Sequence, residues 1–169
     1  SPHSAFLLLQ GIETLPQRID AHLANARIVA EWLDSDPRVS FVTWAGLPGH
    51  PHNARAQKYL PLGPGSVFAF GVKAGDDAST EEERVAAGRE AGEAVIDALQ
   101  LASHLANIGD ARTLVIHPAS TTHQQLSAEQ LVAAGVPADL IRISVGLEDP
   151  EDIIWDLDQA LTRATGVSR

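Results

Sequence analysis

The chain of 169 residues contains no cysteine and no methionine. The absence of cysteine excludes disulfide bonds, thiol nucleophiles and thiolate metal ligands. No apolar run approaches the roughly 20 residues that a helix needs to cross a bilayer, and the apolar start lacks the basic flank of a secretory signal. Basic residues are also scarce, because 12 Lys and Arg stand against 22 Asp and Glu. The sequence therefore predicts a cytoplasmic protein that binds neither nucleic acid nor a membrane.

The composition predicts one independently folded unit. An apolar content of 44% argues against disorder, and a chain of this length can bury roughly two-thirds of the surface that it exposes when unfolded. The first ten residues, SPHSAFLLLQ, are largely apolar and lack an initiator methionine. Such a start is typical of a domain taken from a longer protein, and a processed or tagged small protein is the alternative.

The first third of the chain predicts a long helix. An apolar turn at 6–9 is expected to end at Gly11, and Thr14 and Gln17 then have the spacing of a capping box, which marks a helix start. Asp36-Pro37 is expected to end the helix. One predicted apolar stripe follows the period of a helix: Leu15, Ile19, Leu23, Ala26, Ala30 and Leu33.

The remainder alternates strands and helices. Strands are predicted at 39–44, 66–73 and 140–145, with two short strands joined by a Gly-Asp turn within 102–117. A short helix is predicted at 54–59 and a polar, flexible loop at 74–80. Capping residues predict further helix starts at Thr80, Ser127 and Asp149. This order predicts an α/β fold, a small mixed or antiparallel sheet with helices mainly on one face.

Arg142 is the most informative single residue, because it lies inside the apolar strand sequence LIRIS. A charged residue there could face solvent or pair with an acid of the same domain. It could also bind an anion, since the planar guanidinium holds a carboxylate through two parallel hydrogen bonds and a strand keeps it rigid. The residues alone leave both interpretations open.

Four longer stretches, which together cover most of the chain, resemble a known family: SPHSAFLLLQGIETLPQRIDAHLANARIVAEWL, GLPGHPHNARAQKYLPLG, LASHLANIGDARTLVIHPASTTHQQLS and LIRISVGLEDPEDIIWDLDQAL. They resemble the C-terminal part of the Cys/Met-metabolism enzymes that use pyridoxal 5'-phosphate (PLP), and most closely the O-acetylhomoserine sulfhydrylases. The resemblance implies the C-terminal domain of a fold type I, aspartate-aminotransferase-like enzyme. Residues 1–35 would then be a helical connection from a large PLP-binding domain, and 36–169 the C-terminal α/β domain of a homo-oligomer, a tetramer in the parent.

The resemblance also implies roles for two residues. Arg142 occupies the family position that binds the α-carboxylate of the amino-acid substrate, and Thr113 occupies a position where the family commonly has serine near that carboxylate. The alternative for Thr113 is a strand hydroxyl bonded to backbone. The only lysines, Lys58 and Lys73, lack the surroundings of the family's Schiff-base lysine. We therefore expect no catalytic, cofactor-binding or metal-binding residue in this chain, which alone should be inactive.

Several alternatives remain at this level. A cystathionine γ-synthase or γ-lyase of the same superfamily would share these motifs, and a free-standing binding module or a proteolytic remnant would share the sequence. Four histidines could be considered as metal ligands, namely His50, His52, His117 and His123. Loop roles are favoured for them because no cysteine or aspartate completes a ligand set. The sequence HPASTTH resembles a family loop near the substrate entrance.

Overall fold

The computed structural model describes residues 1–74 and 78–169. The helices are α1 (Pro2–Glu13), α2 (Leu15–Asp34), α3 (Asn53–Tyr59), α4 (Glu81–Ala98), α5 (Ala128–Ala133) and α6 (Pro150–Thr165). The strands are β1 (Val39–Val42), β2 (Val67–Val72), β3 (Ser103–His104), β4 (Leu114–Ile116) and β5 (Leu140–Ser144). A short 3₁₀ turn follows β4 at Pro118–Ser120. The predicted loop at 74–80 includes 75–77, which lie outside the described residues.

The strands form one sheet in the order β1-β2-β5-β4-β3. The prediction of a small mixed or antiparallel sheet is confirmed, whereas the strand order is not evident from the sequence. All neighbours pair antiparallel except β3 and β4, which pair in parallel. The two predicted short strands are present on either side of the Gly109-Asp110 turn, and their parallel pairing is a feature that the sequence does not predict. Parallel strands need a connection that returns the chain to the same end, and residues 105–113 provide it, with Gly109 at a φ of 73°.

The two faces of the sheet differ in character. On β5, Ile141 and Ile143 are fully buried in the core that the sheet shares with α2, α4 and α6. Because successive strand residues point to opposite faces, Leu140, Arg142 and Ser144 project to the other side. The prediction that the helices lie mainly on one face is confirmed, and the opposite face carries Arg142.

Capping residues begin three of the helices as predicted. The Thr80 hydroxyl accepts from the Glu83 N–H while the Glu83 carboxylate accepts from the Thr80 N–H. Ser127 and Gln130 form the same reciprocal pair at α5. At α6 the Asp149 carboxylate accepts from the Glu151 N–H. These caps depend on residues close in sequence, and each satisfies a backbone donor that the helix leaves free.

The predicted boundary between α1 and α2 is wrong in detail. Gly11 lies inside α1 rather than at its end. Thr14 precedes α2, but its hydroxyl accepts from the Arg18 guanidinium at 2.5 Å and makes no capping bond. The reason is that α1 runs almost directly into α2, so Thr14 has a φ of −107° and a ψ of 9° and lacks the extended backbone of a capping residue. No capping box with Gln17 is formed.

The apolar stripe of α2 is wrong in its first half. Leu15 and Ile19 are 41% and 46% exposed, whereas buried residues begin only at His22. From there the helix packs on the core through Ala26, Val29, Ala30 and Leu33. The N-terminal part of α2 extends beyond the sheet. Its apolar residues keep the helical period there, but no surface of the described domain buries them.

Two polar clusters hold α6 in place, and neither is evident from local sequence patterns. The buried carboxylate of Asp156 accepts from the backbone N–H groups of residues 100–102 at 2.7 to 2.9 Å. Arg38, 2% exposed, pairs with Asp36 at 2.7 Å and with Asp158 on α6 at 2.5 Å. Both clusters pair buried charge, as burial of charge requires, and each includes a partner distant in the chain: residues 100–102 for Asp156, and Asp158 for Arg38.

His117 is completely buried at the end of β4. Its Nε2 donates to the Ala138 carbonyl at 2.6 Å, and its Nδ1 lies 2.8 Å from the Ser120 hydroxyl. Gly92 of α4 packs so closely that a Cβ there would come within 2.5 Å of the imidazole. Burial lowers the pKa of His117, because a charged ring would lose solvation.

We predict that His117 makes the chain less stable as the pH falls. Its folded pKa lies below the ordinary value of about 6.5, so the unfolded chain binds the proton more readily. The stabilisation is complete above the unfolded pKa and is lost as the pH falls towards the folded pKa. In urea denaturation from pH 7.5 to 5, His117→Gln should lose less stability than the wild type. Parallel losses in both proteins would contradict this.

Candidate functional site

A cavity of about 760 Å³ opens on the sheet face that the helices leave free. Its floor is formed by β2, β4 and β5, and its rim by the loops at 106–108 and 118–123. Most of its lining is apolar, including Val67, Ala69, Ile116, Val136 and Leu140. An apolar cavity with few polar groups is the usual form of a small-molecule site.

Arg142 brings the positive charge into this cavity. It lies on the central strand, paired with Ala69 of β2 and Ile116 of β4. Its Nη2 donates to the Asn107 carbonyl at 3.3 Å. Within residues 1–74 and 78–169 no carboxylate forms an ion pair with it. The guanidinium, which carries five N–H donors, therefore has donors available towards the cavity.

Four further polar residues line the cavity, namely Thr43, Asn107, Thr122 and His123. The sequence analysis considers His123 as a metal ligand and includes Thr122 and His123 in the entrance loop, but it does not single out Thr43 or Asn107. Asn107 lies beside Arg142, while Thr122 and His123 contribute to the rim. The Thr122 hydroxyl and the His123 Nδ1 lie 2.9 Å apart. The predicted entrance loop HPASTTH is thus divided, because its first histidine, His117, is buried in the core and its last faces the cavity. Loop position alone gives no signal for this division.

Thr113 lies outside the cavity lining and is fully buried. Its N–H and hydroxyl donate to the two carboxylate oxygens of Glu148 at 2.7 and 2.9 Å. The same hydroxyl accepts from the Gly146 N–H at 2.9 Å. The side chain therefore holds the segment that follows β5, residues 145–148, which we call the β5 exit. In this arrangement Thr113 can position the strand that carries Arg142, but its hydroxyl is already occupied.

The β5 exit passes so close to β4 that only glycine fits at position 146. A Cβ on Gly146 would overlap the backbone at Arg112 and Thr113 and the Glu148 carboxylate. Backbone atoms cannot move away as a flexible side chain can. The glycine therefore permits the close approach that allows Thr113 and Glu148 to bond.

Neither lysine contributes to the cavity. Lys58 is exposed on α3, with its Nζ 5.0 Å from the centre of the Tyr59 ring. Lys73 follows β2, where its N–H donates to the Arg38 carbonyl. The residues around the cavity therefore fit a carboxylate but do not fit PLP, which needs a lysine for its Schiff base.

The described part of the chain has neither a metal-binding cluster nor a helix that could span a membrane. His50 and His52 lie edge to face with ring centres 5.7 Å apart. No group of three or more His, Cys, Asp or Glu residues within 1–74 and 78–169 is arranged to hold a metal ion. Over the same ranges, no helix is both long and apolar enough to traverse a lipid bilayer.

We predict that Gly146→Ala destabilises the chain. The added methyl group has to displace backbone at the β5 exit, and overpacking of this kind costs about 2 kcal/mol. The difference is measured by urea denaturation. Gly11→Ala is the matched control, because a Cβ added at Gly11 would have no heavy atom within 4 Å, and this variant should keep or raise stability. Equal behaviour of the two variants would contradict the prediction.

Comparison with known proteins identifies the relatives of the chain. Residues 1–162 match the family of Cys/Met metabolism PLP-dependent enzymes. A homocysteine/cysteine synthase of Kluyveromyces lactis is 51% identical over 94% of this chain and 35% of its own length. An O-acetyl-L-homoserine sulfhydrylase 1 of Thermus thermophilus is 47% identical over 95% of this chain and 35% of its own length. The chain thus spans about 35% of the curated relatives that it matches.

Solved structures agree with these relatives. An O-acetylhomoserine (thiol)-lyase of Campylobacter jejuni, which carries a pyridoxyl-lysine phosphate, superimposes with a TM-score of 0.80 at 38% identity, over 95% of this chain and 35% of that one. A cystathionine gamma synthase of Xanthomonas oryzae gives 0.79 at 34% identity, over 98% and 39%. The predicted fold type I class is confirmed by these neighbours. The chain belongs to the Cys/Met metabolism PLP-dependent enzyme family.

Proposed function

We propose that this chain is the C-terminal part of a sulfhydrylase that acts on O-acetyl-L-homoserine. The enzyme would replace the acetate group with sulfide or methanethiol, and so release acetate and form homocysteine or methionine. The observation that carries the proposal is Arg142, whose guanidinium faces an apolar cavity without an acidic partner among residues 1–74 and 78–169. The names of the relatives supply the substrate class.

Arg142 would bind the α-carboxylate of the substrate. Two parallel N–H···O bonds fix both the position and the plane of a carboxylate. The contact with the Asn107 carbonyl restricts the rotation of the guanidinium, and the central strand fixes its backbone. The carboxylate would thereby set the angle at which the rest of the amino acid enters the reaction. Thr113 would support this role indirectly, through its bonds to Glu148 and Gly146.

The covalent chemistry would lie outside this chain. PLP would be held by a lysine outside this chain, and when bound there it would supply an electron sink. Since neither Lys58 nor Lys73 lines the cavity, the chain on its own would bind the substrate carboxylate without turning the substrate over.

A large PLP-binding domain would be the main partner of this chain. The helix α1 buries none of its residues, and Leu8, Leu9 and Ile12 are 60% to 68% exposed. Apolar surface of this kind is typical of an interface. Residues 1–35 would connect that domain to the C-terminal α/β domain at 36–169, in a cytoplasmic homo-oligomer, a tetramer in the parent.

A second reaction of the same family is the alternative. The similarity to the Xanthomonas oryzae cystathionine gamma synthase, whose structure contains cystathionine, favours cysteine as the sulfur donor or γ-elimination. Both reactions also need a bound α-carboxylate, so Arg142 serves them equally. A free-standing binding module is disfavoured, because the family match extends over residues 1–162.

We predict that the full-length enzyme uses sulfide and not cysteine. Purified enzyme would be supplied with O-acetyl-L-homoserine and either sulfide, methanethiol or cysteine, and the products would be quantified by chromatography. Formation of homocysteine or methionine, with little cystathionine, is expected. Cystathionine as the main product, or 2-oxobutanoate formed without a sulfur donor, would replace the proposal by the alternative reaction.

We predict that Arg142→Lys in the full-length enzyme lowers kcat/KM by about 10- to 100-fold. Lysine keeps the charge but loses the bidentate geometry, and hydrogen bonds to charged groups contribute about 1.5 to 3 kcal/mol. Steady-state kinetics with O-acetyl-L-homoserine measure the change. Arg89→Lys is the matched control, because Arg89 lies on α4 and bonds to Glu93. Unchanged kinetics in Arg142→Lys would exclude the carboxylate role.

A further inference from the structure

The helical connection, residues 1–35, packs against the rest of the described domain only at its C-terminal end. No residue of α1 is buried, and the first buried side chain of α2 is His22. Ile19 and Leu15, one and two turns earlier, remain exposed. The region around His22 is therefore the first place at which the connection, followed from residue 1, meets the interior of the domain.

Two polar side chains of α2 make contact there with the β5 exit. The His22 Nδ1 lies 2.7 Å from the Val145 carbonyl, which can only accept, so Nδ1 is the donor. One helical turn later, the Asn25 amide donates to the carbonyls of Gly146 and Glu148 at 3.1 and 2.8 Å. Both N–H groups of that amide are used on the same segment. His22 is 1% exposed, so its bond is shielded from water.

The backbone N–H groups of the β5 exit form hydrogen bonds with residues other than those of α2. The Val145 N–H donates to the Ser66 carbonyl, and the Gly146 N–H donates to the Thr113 hydroxyl. The Leu147 N–H donates to the Ala111 carbonyl. The segment therefore joins α2 to the strands on either side of β5, and it begins three residues after Arg142.

We infer that His22 and Asn25 are positioning residues that couple the helical connection to the strand carrying Arg142. This rests on the proposed function, in which Arg142 binds the α-carboxylate. A shift of α2 is transmitted through these three bonds to the end of β5, the strand that carries Arg142. The bonds therefore set the orientation of the guanidinium relative to the large domain to which residues 1–35 would connect. Reacting groups misplaced by about 1 Å can lose about a hundredfold in rate.

Kinetics of the full-length enzyme test this inference. Asn25→Ala should lower kcat/KM for O-acetyl-L-homoserine by about tenfold, mainly through KM, because the carboxylate contact is misaligned. Asn25→Asp keeps the shape but cannot donate, and should act in the same way. Asn53→Ala is the matched control, since its amide also donates to a backbone carbonyl, that of Ala45 at 3.0 Å, but in a loop outside the cavity.

Variants at His22 add a test by rescue. His22→Ala removes the donor to the Val145 carbonyl and should raise KM. His22→Asn places an amide N–H near the position of Nδ1 and should restore part of the affinity. If His22→Asn and His22→Ala have the same KM and the same urea midpoint, the donor has no positioning role and the inference is overturned.

A double-mutant cycle separates this inference from the proposed function. If Asn25 acts through Arg142, the effect of Asn25→Ala should disappear in the Arg142→Lys background, because the bidentate contact is already lost. Additive effects of Asn25→Ala and Arg142→Lys, or an Asn25→Ala effect no larger than that of Asn53→Ala, would overturn the positioning role and leave the proposed function intact. An Arg142→Lys variant with wild-type kinetics would overturn both.

Discussion

A guanidinium on the central strand of a small sheet is the constraint around which the rest of the domain is arranged. Arg142 makes no ion pair with any acid in residues 1–74 and 78–169, and its side chain donates to the Asn107 carbonyl. A charge placed so close to apolar walls is poorly solvated, so an anion that enters the cavity gains more there than in water.

Rigidity of that charge depends on features far from it in sequence. Pairing of β5 with both β2 and β4 fixes its backbone. The β5 exit then turns away through Gly146, and the Glu148 carboxylate returns to bond with Thr113. Thr113, which the family resemblance implies to lie near the substrate carboxylate, thus reaches Arg142 through backbone rather than through the cavity. Because its strand is fixed on both sides, Arg142 would lose little conformational entropy on binding an anion, since few rotations remain to be restricted.

The sequence predicted those features that depend on neighbours in the chain. Caps such as Ser127 with Gln130, the strand around Arg142 and the one-sided packing of the sheet all follow from local period and short spacing. It could not predict partners set by the fold. Asp156 bonds to residues 100–102, and His22 bonds to Val145, and neither pair leaves a periodic signal. Thr14 shows the opposite error. The spacing of Thr14 and Gln17 is that of a capping box, but the capping bond does not form because α1 continues almost directly into α2.

The distribution of functional groups implies a division of labour within the whole enzyme. Under the proposed function this chain would supply a rigid arginine for the substrate carboxylate, whereas neither of its lysines lies at the cavity. A substrate held by its carboxylate here must present its α-carbon to groups held elsewhere, so catalysis requires the two parts to keep a fixed geometry. The helices α1 and α2 are the segment that would have to maintain it, since α2 bonds directly to the β5 exit. Through the bonds from His22 and Asn25 to the β5 exit, this geometry would be passed on to Arg142 and to a carboxylate bound there.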